Sequence, residues 1–475
     1  MDMPSIGKSR VLSMTQSRKF STVFKSLIDM VGNTPILQAS KLQTGKCHLF
    51  LKLENQNPGG SIKDRVALSM IEAAEREGKL KPGYTIIEAT AGNTGLGLAL
   101  IAALKGYKIL LVMPDKMSLE KIAHLRALGA EIKTTRSDVG KGHPEYYQDL
   151  AEDLSKTLPN SFYVNQFSNR ANTLAHETMT GPEMFEQMDG KIDAVVCGVG
   201  SGGTLAGLSK YFAKVSPQTR LVLADPEGSI LTEYIKTKTL GKAGSWLIEG
   251  IGEDFIPEIA DLSRVSHAYT ISDKESFQAA RELLLKEGVF AGSSSGTILA
   301  AALRYCREAP SEQRVVALVP DSGGKYLSKM FNDYWLADQG FIKSESFGDL
   351  RDFVSRPSTK SAVTSVTPND SLLTAFNRMR LHEYSQLPVL EGEKVVGLVD
   401  EYDLLIAIEK DAKNYHQTVS NFMTKKIDIL KSNTNVDQLW NLLRENKVGV
   451  LEHEGKFYGL ITRSDALTHM RKKIR

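Results

Sequence analysis

From Thr22 to about Gly340, short aliphatic and β-branched runs alternate with stretches whose apolar positions recur every three or four residues. The runs Cys47–Leu53, Thr85–Ala89, Ile109–Met113, Ala194–Val199, Leu221–Ala224 and Val315–Val319 predict strands bounded by turn residues. Arg65–Leu80, Gly95–Lys105, Leu119–Leu128 and Lys274–Lys286 predict amphipathic helices between them. Strands apolar on both faces and separated by helices predict parallel sheets covered on both sides. The expectation is an α/β body of two lobes over 22–340. Its longest apolar stretch, Leu96–Met113, is broken by Gly97, Lys105, Gly106 and Lys108, so it predicts a helix running into a strand, not a membrane span.

The register changes after Gly340. Residues 341–360 are polar, end in Pro-Ser-Thr-Lys and predict a linker. Beyond them the chain repeats itself with a period of about sixty residues, over about 361–415 and 416–475. Each copy carries a polar turn, a helix, a short strand, an acidic turn and a second strand. That order predicts an α+β module of two copies packed face to face.

Composition narrows the classes. Lys and Arg total 59 against 56 Asp and Glu in 475 residues, a net charge of +3, which argues against binding nucleic acid by bulk charge. The three cysteines, Cys47, Cys197 and Cys306, lie far apart, without a C-x-x-C pair or Cys/His ligand spacing. Neither a disulfide framework nor a metal site is expected, and a reducing, cytoplasmic location is. Residues 1–21 are basic and serine-rich and predict a flexible tail; a transit peptide has a similar composition, a secretory signal does not.

Three segments carry candidate chemistry. Asn57-Pro58-Gly59-Gly60-Ser61-Ile62-Lys63-Asp64-Arg65 delivers a lysine to the start of a helix, whose free N–H groups and partial positive charge favour the neutral amine. A neutral lysine is the nucleophile toward an aldehyde cofactor, whereas a lone lysine in a first turn is ordinarily just solvated. Glu88-Ala89-Thr90-Ala91-Gly92-Asn93-Thr94-Gly95 follows a strand and opens a helix, with hydroxyl and amide donors added to anion-binding N–H groups. Cys197-Gly198-Val199-Gly200-Ser201-Gly202-Gly203-Thr204 has the same context; it lacks the lysine of a P-loop and the dinucleotide spacing, and suits a single phosphate.

In this order and spacing the three segments resemble the fold-type II pyridoxal-phosphate enzymes. Glu249-Gly250-Ile251-Gly252, Ala291-Gly292-Ser293-Ser294-Ser295-Gly296 and Pro320-Asp321-Ser322 are similar to the cysteine synthase and cystathionine β-synthase group of that family, over about residues 25–340. The C-terminal repeat resembles the paired regulatory module known as a CBS-domain pair. The resemblance implies pyridoxal 5'-phosphate as cofactor and a lyase acting by β-replacement. Lys63 would hold the cofactor covalently and then take the substrate α-proton; Asn93 would meet the ring hydroxyl; Gly200, Ser201, Gly202, Gly203 and Thr204 would bind the phosphate; Ser294 would meet the pyridine nitrogen. Thr90, Ala91, Thr94 and Gln166 would hold the substrate carboxylate.

The implied reaction condenses serine or O-acetylserine with homocysteine through an aminoacrylate to give cystathionine, the first step of transsulfuration, with hydrogen sulfide production by the same chemistry. The alternative is a cysteine synthase using O-acetylserine and sulfide. Phe167 and Glu253 stand where the eukaryotic cystathionine synthases carry tyrosine, which leaves the donor and the thiol open. No Cys or His precedes Cys47, so no haem is expected. In the repeat, Gly459-Leu460-Ile461-Thr462-Arg463-Ser464-Asp465 resembles the ribose-holding end of a nucleotide site, with Thr462 and Asp465 as its residues; Asp400 and Asp403 stand at the first copy's matching place. An adenosyl ligand such as S-adenosylmethionine is one expectation, association alone the other. A homodimer or larger homo-oligomer is expected, with no nucleic-acid or membrane partner.

Overall fold

The computed structural model describes residues 23–90, 92–115, 117, 119–342, 345–358 and 363–474. The expected tail, 1–21, lies outside the described residues. The chain divides between Ser328 and Lys329 into two compact units.

The first unit is built on two sheets. Its strands are β1 (Ile36–Gln38), β2 (His48–Lys52), β3 (Thr85–Ala89), β4 (Lys108–Pro114), β5 (Glu131–Thr135), β6 (Ser161–Tyr163), β7 (Ala194–Gly198), β8 (Arg220–Pro226), β9 (Val265–Ile271) and β10 (Arg314–Leu318). The larger sheet has the order β1-β2-β10-β7-β8-β9 and the smaller β5-β4-β3-β6. All pairings are parallel except that of β1 with β2. The six expected apolar runs are therefore strands of two parallel sheets. The central strands β7 and β8 are buried along most of their length, as burial on both faces requires. The stretch Leu96–Met113 resolves into the helix Asn93–Lys105 and β4.

Parallel strands point their carboxyl ends the same way, and the loops that leave those ends gather the candidate residues. β3 runs into the loop before helix Asn93–Lys105, and β7 into the loop before helix Gly203–Val215. Separate apolar cores form around the sheets, one including Leu49, Val195, Leu223 and Val316, another Val66, Ile86, Leu98 and Leu111.

The second unit holds the repeat. In the first copy, helix Leu372–His382 precedes β11 (Gln386–Glu391) and β12 (Lys394–Asp400), and helix Glu401–Lys410 follows. In the second, β13 (Ile429–Lys431) and helix Val436–Arg444 precede β14 (Gly449–His453), β15 (Lys456–Ile461) and helix Arg463–Ile474. Each antiparallel pair shifts register once, between Val389 and Leu390 and between Leu451 and Glu452. Val395 of one copy and Val450 and Phe457 of the other share one buried cluster, so the copies meet through their sheets. Part of the expected linker is structured: Leu350 and Phe353 of a 3-10 turn are buried with Leu439 and Ile461. The apolar positions Leu350 and Phe353 are too few to show a period, which is why the segment reads as plain linker in sequence.

Candidate active site

Lys63 is the first residue of helix Lys63–Arg76. Asp64 fixes the turn before it, its Oδ2 accepting the Gly59 N–H at 2.6 Å. Arg65 anchors the same turn to the interior. It is 1 % exposed and donates Nε and Nη2 to the two Glu54 carboxylate oxygens, each at 2.8 Å, and Nη1 to Glu183 at 2.8 Å. Glu183 also pairs with Lys52. Buried charges persist when paired and hydrogen-bonded on most sides, and this cluster meets that condition.

The segment Pro320–Ser322 joins two loops. Ile62 N–H donates to the Pro320 carbonyl at 2.8 Å, and Gly292 N–H to the Asp321 carbonyl at 3.0 Å. Ser61 bridges to Asp321 and Ala291 to Ser322. The Lys63 turn and the start of helix Ser293–Glu308, where Ser294 is the second residue and buried, are thus held by one strip of backbone.

Lys63 Nζ donates to Ser201 Oγ at 3.3 Å. Burial lowers the amine's pKa to about 8, against the opposing pull of Glu253 and Glu88. Ser201 Oγ also accepts from Asn172 Nδ2 at 2.9 Å. The loop around it has no room for side chains. A Cβ on Gly200 would lie 2.5 Å from the Gly250 carbonyl oxygen, and one on Gly203 only 2.0 Å from Asn172 Oδ1. Gly202 adopts φ +88°, open to glycine at no steric cost. Thr204 Oγ1 lies 3.2 Å from His176 Nε2, and His176 Nδ1 lies 3.0 Å from Thr180 Oγ1. Burial, with the Lys63 and Arg65 charges, holds the imidazole well below its usual range, so it is neutral. Lys63, Gly200, Ser201, Gly202 and Thr204 line one small cavity of about 40 Å³, with Gly250 and Ile251 opposite.

The loop after β3 forms a second group. Thr94 Oγ1 donates to Gln166 Oε1 at 2.6 Å, and Thr90 Oγ1 accepts the Gly92 N–H at 3.2 Å. Asn93 Nδ2 donates to Asp321 Oδ2 at 2.7 Å, and its Oδ1 accepts from Lys325 Nζ at 2.8 Å. Tyr326 OH donates to the same Asp321 oxygen at 2.5 Å. Lys121 pairs with Glu249, its ammonium 4.7 Å from the centre of the Tyr326 ring. Ala91 lies outside the described residues.

Glu88, the fourth residue of β3, is fully buried, and neither carboxylate oxygen has a hydrogen-bond partner. The Asn165 and Gln166 N–H groups face it and favour ionisation without reaching bonding geometry, so burial dominates and raises its pKa to about 8. Glu88, Asn172, His176, Asp321 and Lys325 have no assigned role in the sequence reading. Asn172 and His176 carry no local motif, and only the fold brings them to Ser201 and Thr204.

In the second unit Thr462 and Asp465 are partners. Thr462 Oγ1 and N–H donate to Asp465 Oδ2 at 2.6 and 2.8 Å. Asp400 and Asp403 make the matching reciprocal cap on helix Glu401–Lys410. Thr462 and Asp465 line a cavity of about 630 Å³ that also takes in Thr364, Tyr384 and Pro388 of the first copy.

The donor set at Lys63 fits pyridoxal phosphate: a buried amine of lowered pKa for an aldehyde, and a glycine loop at a helix start, closed to any side chain, for a phosphate. Residues 27–321 match the pyridoxal-phosphate dependent enzyme family, and 350–410 and 419–472 each match the CBS domain. The chain is 36% identical over 450 residues to cystathionine beta-synthase of Oryctolagus cuniculus, covering 93% of this chain and 81% of that one. It is 39% identical to cysteine synthase 1 of Emericella nidulans over 66% of this chain and 86% of the other. The crystal structure of the O-acetylserine dependent cystathionine beta-synthase from Helicobacter pylori superposes with a TM-score of 0.60 and 36% identity, over 65% of this chain and 99% of that one. The chain belongs to the cystathionine β-synthase family of pyridoxal-phosphate-dependent enzymes.

Proposed function

We propose that this enzyme condenses serine or O-acetylserine with homocysteine to give cystathionine. The observation that carries the reading is extent. Likeness to the cystathionine synthase runs through 93% of the chain and both copies of the repeat, whereas likeness to the cysteine synthase covers 66%.

Bound at Lys63, pyridoxal phosphate supplies the electron sink that acidifies the substrate α-carbon and loosens the β-substituent. The protein does the rest. Gly200 to Thr204 present N–H groups and hydroxyls to the phosphate, with neutral His176 fixing the Thr204 hydroxyl. Thr90, Thr94 and Gln166, with Ala91, receive the substrate carboxylate, Asn93 the ring hydroxyl and Ser294 the pyridine nitrogen. Lys63, its pKa lowered by burial to about 8, takes and returns the α-proton. In the second unit, Thr462 and Asp465 hold the ribose hydroxyls of an adenosyl ligand; the size of the cavity they line supports this. We assign the enzyme to the cytoplasm as a homo-oligomer. No helix among the described residues is long and apolar enough to cross a membrane.

A product assay with serine or O-acetylserine, each with homocysteine or sulfide, tests the reading. Cystathionine is the expected product. Cysteine from O-acetylserine and sulfide, with homocysteine ignored, would make the chain a cysteine synthase with a regulatory tail.

A further inference from the structure

Replacing a β-substituent moves two kinds of proton. One leaves and rejoins the α-carbon, and Lys63 accounts for it. The other belongs to the exchanged groups: a departing hydroxyl needs a proton, and an incoming thiol must lose one. His176 cannot supply it, since both its ring nitrogens face threonine hydroxyls and it is neutral.

The loop Glu249–Glu253 faces the glycine cradle. Its Gly250 carbonyl closes over Gly200, and Glu253 Oε1 lies 3.9 Å from where a Cβ on Gly200 would stand. Glu253 backbone groups fix this placement: its N–H donates to Ser229 Oγ at 3.1 Å, and its carbonyl accepts the Ile230 N–H at 3.0 Å. Several groups act on the carboxyl. Lys63 faces it from helix Lys63–Arg76, Asp225 from β8, Asp254 from its own loop, and Tyr146 and Tyr147 from the start of helix Tyr147–Thr157. Burial acts first and most strongly. Asp254 and Asp225 add to it and Lys63 opposes it, so the carboxyl keeps its proton well above the usual carboxylate range.

We propose that Glu253 is the acid–base group for the β-substituent, protonating the departing hydroxyl of serine and then taking the proton of the incoming thiol. The inference rests on the function proposed above. As the Cβ–O bond breaks, its electron pair stays on oxygen, the Glu253 proton joins it, and water leaves; Glu253 is then a carboxylate. The thiol gives that carboxylate its proton while its sulfur forms the C–S bond, and the carboxyl is restored. No oxidant or reductant enters. O-acetylserine needs no such proton, because acetate leaves as a stable anion.

The donor pair therefore isolates the role. With homocysteine as thiol, Glu253→Gln should lower kcat/KM for serine by about 100-fold or more, the scale of a lost general acid. The loss with O-acetylserine should be far smaller. A second readout is the pH profile: wild-type kcat/KM for serine should fall on the alkaline side as the Glu253 carboxyl loses its proton, and Glu253→Gln should lack that limb. Equal losses with both donors, or an alkaline limb unchanged in Glu253→Gln, overturn the inference and leave the proposed function standing. Wild-type protein that makes cystathionine from neither donor overturns both.

Discussion

Glu88 shows how a single side chain can set pH behaviour. In the unfolded chain its carboxyl ionises near pH 4.5; folded, burial holds the proton until about pH 8. Below 4.5 both states are protonated and stability is full. Between 4.5 and 8 unfolding releases a proton, so stability falls as pH rises, and above 8 the loss levels off. Glu88→Gln cannot ionise. The variant should match wild type in thermal unfolding at pH 4 and exceed it at pH 8.5 by about 2–4 kcal/mol. Equal melting at both pH values would show that Glu88 ionises in its ordinary range. Nothing local marks this residue, whose neighbours Ile87 and Ala89 read as an ordinary strand. Its raised pKa comes from the burial that tertiary packing imposes on β3, against the opposing N–H groups of Asn165 and Gln166.

At the scale of elements, Arg65 ties the helix carrying Lys63 to Glu54, after β2, and to Glu183 of helix Gly181–Gln187. Arg65→Ala leaves the buried Glu54 and the half-buried Glu183 carboxylates short of a cation and should cost about 3–5 kcal/mol in denaturant unfolding. Gly203→Ala drives a methyl into Asn172 Oδ1 and should weaken cofactor binding in a spectroscopic titration by at least about tenfold, or 1.4 kcal/mol. The elements themselves were unevenly legible. β7 and β8 announce themselves because buried parallel strands are continuously apolar. β5 (EIKTT) and β9 (VSHAYTI) close the two sheets, carry exposed polar residues and show no such run. β1 is three residues long and too short for any period. The site follows the same division: Lys63, the Thr90–Thr94 loop and the Gly200–Thr204 loop are local motifs, while Asn172 and His176 come from a helix and a π-turn that only tertiary packing brings near.

For the whole molecule, each unit has its own apolar cores, so unfolding should show two calorimetric transitions. Leu439→Ala, in a core of the second unit, should lower one transition by about 2–5 kcal/mol and leave the other in place. A single transition shifted as one would refute this independence.

The repeat also carries a record of descent. The register shift falls sixty-two residues apart at matching places in β11 and β14, and the reciprocal caps Asp400–Asp403 and Thr462–Asp465 are separated by the same interval. A shift of register comes from gaining or losing a residue, not from exchanging one for another. Two copies that share it at one position inherited it from a common forebear, and side chains such as Asp400 and Thr462 diverged only after that ancestral segment had been copied.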